Sequence, residues 1–159
     1  YIAMLALAAW AGGLLALGAV AAPTLFANLQ AQDPIAGREM AGWLFGSIFT
    51  RFQYVGLGCG TLLLASLGAR AALGPRPRRF AVRLWTVSAM LAISLATTFL
   101  IAPRIDAIRT AVHAPIASLP ESDPRRITFG QLHGASNALM LLTILAAAGL
   151  LWAETNDSL

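Results

Sequence analysis

Phe129-Gly-Gln-Leu-His-Gly-Ala-Ser-Asn137 opens an apolar run that continues to Trp152 and is long enough to cross a bilayer. On a helix, His133 and Asn137 lie four residues apart on one face, at a depth where lipid offers no hydrogen-bond partner. Polar side chains placed there need neighbours, and the other apolar runs offer them. Arg51 and Gln53 open the second run, while Ser94, Thr97 and Thr98 sit near the end of the third. The expectation is an all-α membrane bundle with a polar intramembrane cluster of Arg51, Gln53, Ser94, Thr98, His133 and Asn137.

Composition supports the membrane reading. The chain has 159 residues, 58% of them hydrophobic and 11% charged, with a mean hydropathy of +0.71, too apolar for a soluble domain of this length. A pI near 10.6 would suggest nucleic acid for a soluble protein. Here the eleven basic residues are all Arg and lie mostly between apolar runs, where they set topology and anchor the chain at the interface. The partners expected are the lipid bilayer and other membrane subunits, not nucleic acid. A single cysteine, Cys59, excludes an internal disulfide. The sequence opens on Tyr1 without a Met, and residues 1–22 carry no charge and reach about 33 Å as a helix, so they read as a span and not as a cleaved signal.

One membrane domain over residues 1–159 follows, with spans at about 1–22, 52–72, 84–102 and 132–152. Pro23 interrupts the first, and Asp33-Pro34 reads as the start of a short interfacial helix in the first outer loop, with Trp43 and Phe45 near the headgroups. The third span is expected to continue as a helix through Arg104, Asp106 and Arg109 until Pro115 and Pro120 end it. Asp106 and Arg109 are spaced to pair on its exposed side, a contact of little weight. Gly56 with Gly60, and Gly130 with Gly134, have the small-xxx-small spacing of helix-packing faces. No strand precedes them, so they are not a dinucleotide fingerprint.

Arg70, Arg76, Arg78, Arg79 and Arg83 crowd one linker without an acid. By the positive-inside rule that linker and both termini are cytoplasmic, in a bacterial inner membrane. A weak duplication is also present: residues 1–72 lie over residues 81–152 with Ala22-Pro23 on Ala102-Pro103, Phe49 on Phe129 and Gln53 on His133. Each half has two spans, so the copies keep one orientation about an axis along the membrane normal. Gln53 and His133 would then face each other across it.

Three segments, Ala22-Pro-Thr-Leu-Phe26, Ala102-Pro-Arg-Ile105 and Phe129 to Asn137, resemble the four-span domain of unknown function shared with transmembrane protein 205. The resemblance covers essentially the whole chain and implies a four-helix membrane fold in a family whose biochemical role is unsettled. A looser likeness to bacterial copper-resistance membrane proteins of the D type implies metal transport, but the Met and His pairs of a copper path are missing.

The residues leave the function divided. His133 is either an axial ligand for haem, chlorophyll or a metal, or a structural side chain hydrogen-bonded to Gln53, Asn137 or a hydroxyl of the third span. His113 lies away from it in the second outer loop. Arg51 either snorkels to the interface or meets a buried acceptor. The hydroxyls of Ser94, Thr97, Thr98 and Thr143 are expected to bond back to their own helices. Ser136 and His133 share a helix, but no carboxylate in the spans orients them as a nucleophile and its base. No acid lies in any span to serve a proton relay. The expected role is a non-catalytic structural or accessory subunit of a respiratory or photosynthetic type of complex. The alternative is a small-solute or copper-like metal transporter, or a haem- or pigment-binding protein using His133.

Overall fold

The computed structural model describes residues 2–74, 78–112 and 114–157, and they form four long helices: α1 (Ile2–Gln32), α2 (Ala36–Leu73), α3 (Phe80–Ala111) and α4 (Pro124–Asp157). Arg76 of the basic linker and His113 lie outside the described residues. The fold is an all-helical four-span membrane bundle, each helix long and apolar enough to cross a membrane. Around the ring, α1 packs beside α2 and α4, and α3 packs beside the same two. Most of each apolar stretch faces outward, with Leu5, Trp85 and Leu145 among the exposed side chains, as a lipid-solvated surface requires.

The core is built where small residues let large ones in. Trp10 is fully buried among Leu7, Leu14, Leu63, Leu67, Val87 and Met90. A Cβ added at Gly56 would stand 2.6 Å from Trp10 Nε1, and one at Gly60 would stand 2.5 Å from Leu91 and 3.0 Å from Trp10. Bare backbone at these two positions is what admits the indole, since lipid supplies no hydrophobic drive and close contact must hold the helices together. Gly130 and Gly134 differ: among the described residues a Cβ at either meets nothing within 4 Å, so neither lies at a close helix contact there.

Pro23 does not end the first helix. Residues Leu17–Ala21 form a π-helical turn just before Ala22-Pro23, and Thr97–Ile101 form another just before Ala102-Pro103. Proline lacks an amide to donate and its ring crowds the carbonyl four residues back; a wider turn relieves both and lets the helix continue. The two turns fall at equivalent places in the two halves, as do buried pairs such as Leu7 with Val87, Trp10 with Met90 and Leu63 with Thr143. The tandem relation of the hairpins is therefore visible in the backbone as well as in the residues.

Asp33-Pro34 starts a helix as expected, but that helix is not short. The Asp33 carboxylate accepts hydrogen bonds from the amides of Ile35 and Ala36 at 2.8 Å, and α2 then runs unbroken to Leu73, carrying Trp43, Phe45, Arg51 and Gln53 on one 38-residue helix. No turn or breaker separates the interfacial segment from the span. The same device opens α4, where Asp123 accepts from the Arg125 amide at 2.8 Å ahead of Pro124. The Arg125 guanidinium and this amide hold the Asp123 carboxyl down at about 2. At 1.5 Å per residue α2 is about 57 Å long, nearly twice a hydrocarbon core of about 30 Å. The surplus of all four helices lies largely beyond the two π-helical turns, at the end away from the basic linker.

At the linker end the bundle is closed by charge. Arg83 on α3 is 3% exposed and pairs with Glu154 on α4 while donating to the Ala153 carbonyl at 3.0 Å. Arg70, at the C-terminus of α2, reaches the same carboxylate at 3.2 Å. Two arginines of the basic run thus sit inside helices and clasp three of the four together.

Candidate functional site

At the opposite end the helices enclose a cavity of about 440 Å³. All four contribute: Phe26 from α1; Trp43, Phe45, Phe49 and Arg51 from α2; Ile101, Asp106 and Arg109 from α3; His133, Ser136, Asn137 and Met140 from α4. The π-helical turn of α3 reaches its floor through Ile101. Ile101 closes the turn of α3, and Gly18 in the turn of α1 lies so near Met140 that a Cβ there would stand 3.1 Å from the methionine methyl. Wider turns of this kind recur at binding sites because they shift the facing side chains out of the regular helical register.

Arg109 is the central side chain of the upper wall. Its guanidinium lies across α2 where Gly42 and Gly46 leave a groove; a Cβ at Gly42 would come within 2.9 Å of Nη2, and one at Gly46 within 3.5 Å of Nη1. The guanidinium carbon also stands 5.4 Å from the centre of the Phe129 ring, within cation–π range. Phe129 in turn stacks on His133, with ring centres 6.1 Å apart and planes 3° from parallel. Arg109 makes no ion pair among the described residues, Asp106 included, and its Nε is buried without a partner. The pairing with Asp106 expected from their spacing is not made, because the side chain swings to the glycine groove.

The expected polar cluster is divided in two. Gln53, Ser94 and Thr98 are buried inside the bundle, at 4%, 1% and 5% exposure. Arg51, His133 and Asn137 are exposed on the cavity. His133 makes no hydrogen bond to Gln53, Asn137 or a hydroxyl of α3 among the described residues; its neighbour is the Phe129 ring. The hydrogen bond across the axis expected between Gln53 and His133 is absent among the described residues, where Gln53 is buried and His133 exposed. Of the hydroxyls, Thr97 donates to the Ile93 carbonyl and Thr143 to Leu139 at 2.9 Å each, the self-satisfying pattern expected of membrane helices. Thr98 Oγ1 and Trp10 Nε1 stay buried without partners.

Among the described residues no three His, Cys, Asp or Glu side chains gather as a metal site. Sequence reasoning missed Arg109, Gly42 and Gly46 as site residues. The signal was available, since Gly42 and Gly46 repeat the four-residue spacing of Gly56 and Gly60.

Residues 5–114 match a family model described as a domain of unknown function, DUF4149, and the chain belongs to that family. No curated protein and no solved structure matches it. The matched region holds α1, α2 and α3, and with them the Arg51 and Arg109 walls of the cavity.

Proposed function

We propose that this chain is a non-catalytic membrane protein that binds a small molecule in the cavity between its four helices. The observation that carries the reading is the cavity itself: about 440 Å³, walled by aromatic side chains with a few convergent polar groups, as small-molecule sites are. Native mass measurement after gentle extraction tests it. Wild-type protein should carry a small-molecule mass that is lost in Gly46→Phe, which fills the cavity, at unchanged helical content. A bare wild-type monomer would remove the reading.

A second reading, the accessory subunit of a larger complex, has its own support. Gly130 and Gly134 leave an open small-residue strip on α4, next to exposed Leu141, Leu142 and Leu145, where another helix can approach closely. The same native measurement reports a partner subunit directly, and Gly134→Leu should release it.

We further infer that the basic linker and both termini are cytoplasmic in a bacterial inner membrane, so that the cavity opens outward. Labelling a cysteine placed at Arg78 from outside intact cells would reverse this orientation. The likeness of Ala22–Phe26, Ala102–Ile105 and Phe129–Asn137 to transmembrane protein 205 supports a placement near that protein within the family, though the third segment lies beyond the matched residues 5–114.

A further inference from the structure

We infer that the ligand of this cavity is an anionic amphiphile, with a phosphate or carboxylate head held by Arg109 and Arg51 and an apolar tail directed at Met140. The inference rests on the small-molecule reading above and names its ligand class.

Charge gives the head. Two guanidinium groups and one carboxylate, Asp106, line the wall, and neither arginine makes an ion pair among the described residues. A guanidinium at the edge of hydrocarbon is costly without a counter-charge, and its planar donors match phosphate and carboxylate oxygens two at a time. The opposite end shows how this chain treats an arginine whose partner is its own: Arg83 is buried on Glu154. Arg109 rests in the glycine groove against the Phe129 ring, yet its charge meets no carboxylate among the described residues.

Depth gives the tail. Along α3 the lining runs from Thr110 and Arg109 down to Ile101, about 13 Å at 1.5 Å per residue. Asp106 and Arg109 lie in the upper part, Ile101 and Met140 form the lower part, and Arg51 starts between them on α2 with a side chain long enough to reach upward. A ligand polar throughout would leave that floor empty, and one apolar throughout would leave two cations unmatched. The polarity gradient fits a molecule with one charged and one apolar end.

The test is calorimetry on the full chain in phosphatidylcholine nanodiscs, with empty nanodiscs as the blank. The probes are hexyl phosphate, hexanol and inorganic phosphate. Saturable one-to-one binding of hexyl phosphate is expected, at least tenfold tighter than either fragment. Arg109→Gln should weaken it about tenfold, with Arg109→Lys in between, and Arg51→Gln should weaken it to a lesser degree. Doping the nanodiscs with phosphatidylglycerol separates the sources: competition with hexyl phosphate assigns the site to a lipid headgroup, and no competition assigns it to a soluble amphiphile, both upholding the anion site. Hexanol binding as tightly as hexyl phosphate, insensitive to both arginine variants, would overturn the anionic head while leaving a small-molecule site. Inorganic phosphate binding as tightly would overturn the amphiphile. Failure of every probe to bind would overturn this inference and the reading beneath it together.

Discussion

The two ends of the bundle handle arginine in opposite ways. At the linker end, Arg83 is almost wholly buried and its charge is neutralised by Glu154, which also takes Arg70. At the far end, Arg109 is held by contact with glycine and an aromatic ring, and its charge meets no carboxylate among the described residues. A buried ion pair closes a structure at a desolvation cost that only good geometry offsets. An unpaired cation on a cavity wall adds little to the fold, and its charge is available to a ligand. One end therefore fixes the bundle and the other leaves it open.

If the linker end is the clasp, removing its shared carboxylate should have the largest effect. Glu154→Leu removes the carboxylate that neutralises buried Arg83 and should lower stability by about 3–5 kcal/mol, seen as loss of helical signal at lower temperature in detergent. Glu154→Gln keeps an acceptor and should cost less. A melt for Glu154→Leu equal to wild type would erase the contrast between the ends.

Glycine substitutions sharpen the same contrast. Gly56→Ala puts a methyl 2.6 Å from the Trp10 indole, a rigid group packed on all sides, and should destabilise by about 1–3 kcal/mol. Gly42→Ala puts a methyl 2.9 Å from Arg109 Nη2, the far end of a flexible side chain, and should cost less than 1 kcal/mol while weakening ligand binding by moving the guanidinium. Chemical melts of the two variants, run together, would show equal losses if the Gly42–Gly46 groove were packed as tightly as the core.

Arg109→Gln completes the series. It removes a cation–π contact and no ion pair, so about 0.5–1 kcal/mol of stability is the expected loss. A loss as large as that of Glu154→Leu would mean that Arg109 belongs to the fold and not to the cavity.

The spans were readable from the sequence because only long runs nearly free of charge cross a bilayer, and four of them stand clear at about residues 1–22, 52–72, 84–102 and 132–152, with Arg70 at the end of the second the one charge among them. The tandem relation was readable from Ala22-Pro23 and Ala102-Pro103, and the π-helical turns before both prolines give it a backbone basis. Which way His133 points was not readable. A helix in lipid is apolar on every face, so no hydrophobic stripe tells the buried side from the exposed one. Gln53 and His133 match in the repeat, yet one is buried and the other lines the cavity. Pro23 reads as a break, yet α1 continues through it to Gln32 by way of the π-helical turn. The Asp-Pro signal that starts α2 also stands at Asp123-Pro124 and places the start of α4 eight residues before Leu132. Arg109 was hidden for a different reason: its spacing from Asp106 suggests a local pair, while its contacts come from α2 and α4.

The smallest expected effect concerns the cavity end alone. Asp123 caps α4 and pairs with Arg125 at 2.8 Å, and these contacts lower its carboxyl from an ordinary 3.8 to about 2. A group whose folded value is depressed favours the fold in its ionised form. Its contribution is therefore complete above the unfolded value near 4 and fades as pH falls from about 4 towards 2. Asp123→Asn removes the charge while keeping an oxygen that can still accept from the Arg125 amide, so the variant should melt slightly below wild type at pH 6. The gap should close as the two proteins are compared at successively lower pH and vanish near pH 2. Thermal melts across that series decide the matter: a gap that stays constant with pH would place the stabilisation in the shape of the cap and not in its charge. A gap that appears only at acid pH would reverse the sign and with it the ionised assignment of Asp123. Arg125→Gln, which removes the carboxylate's charged partner and leaves its backbone bond, should narrow the pH window from below by raising the folded value towards 3.8.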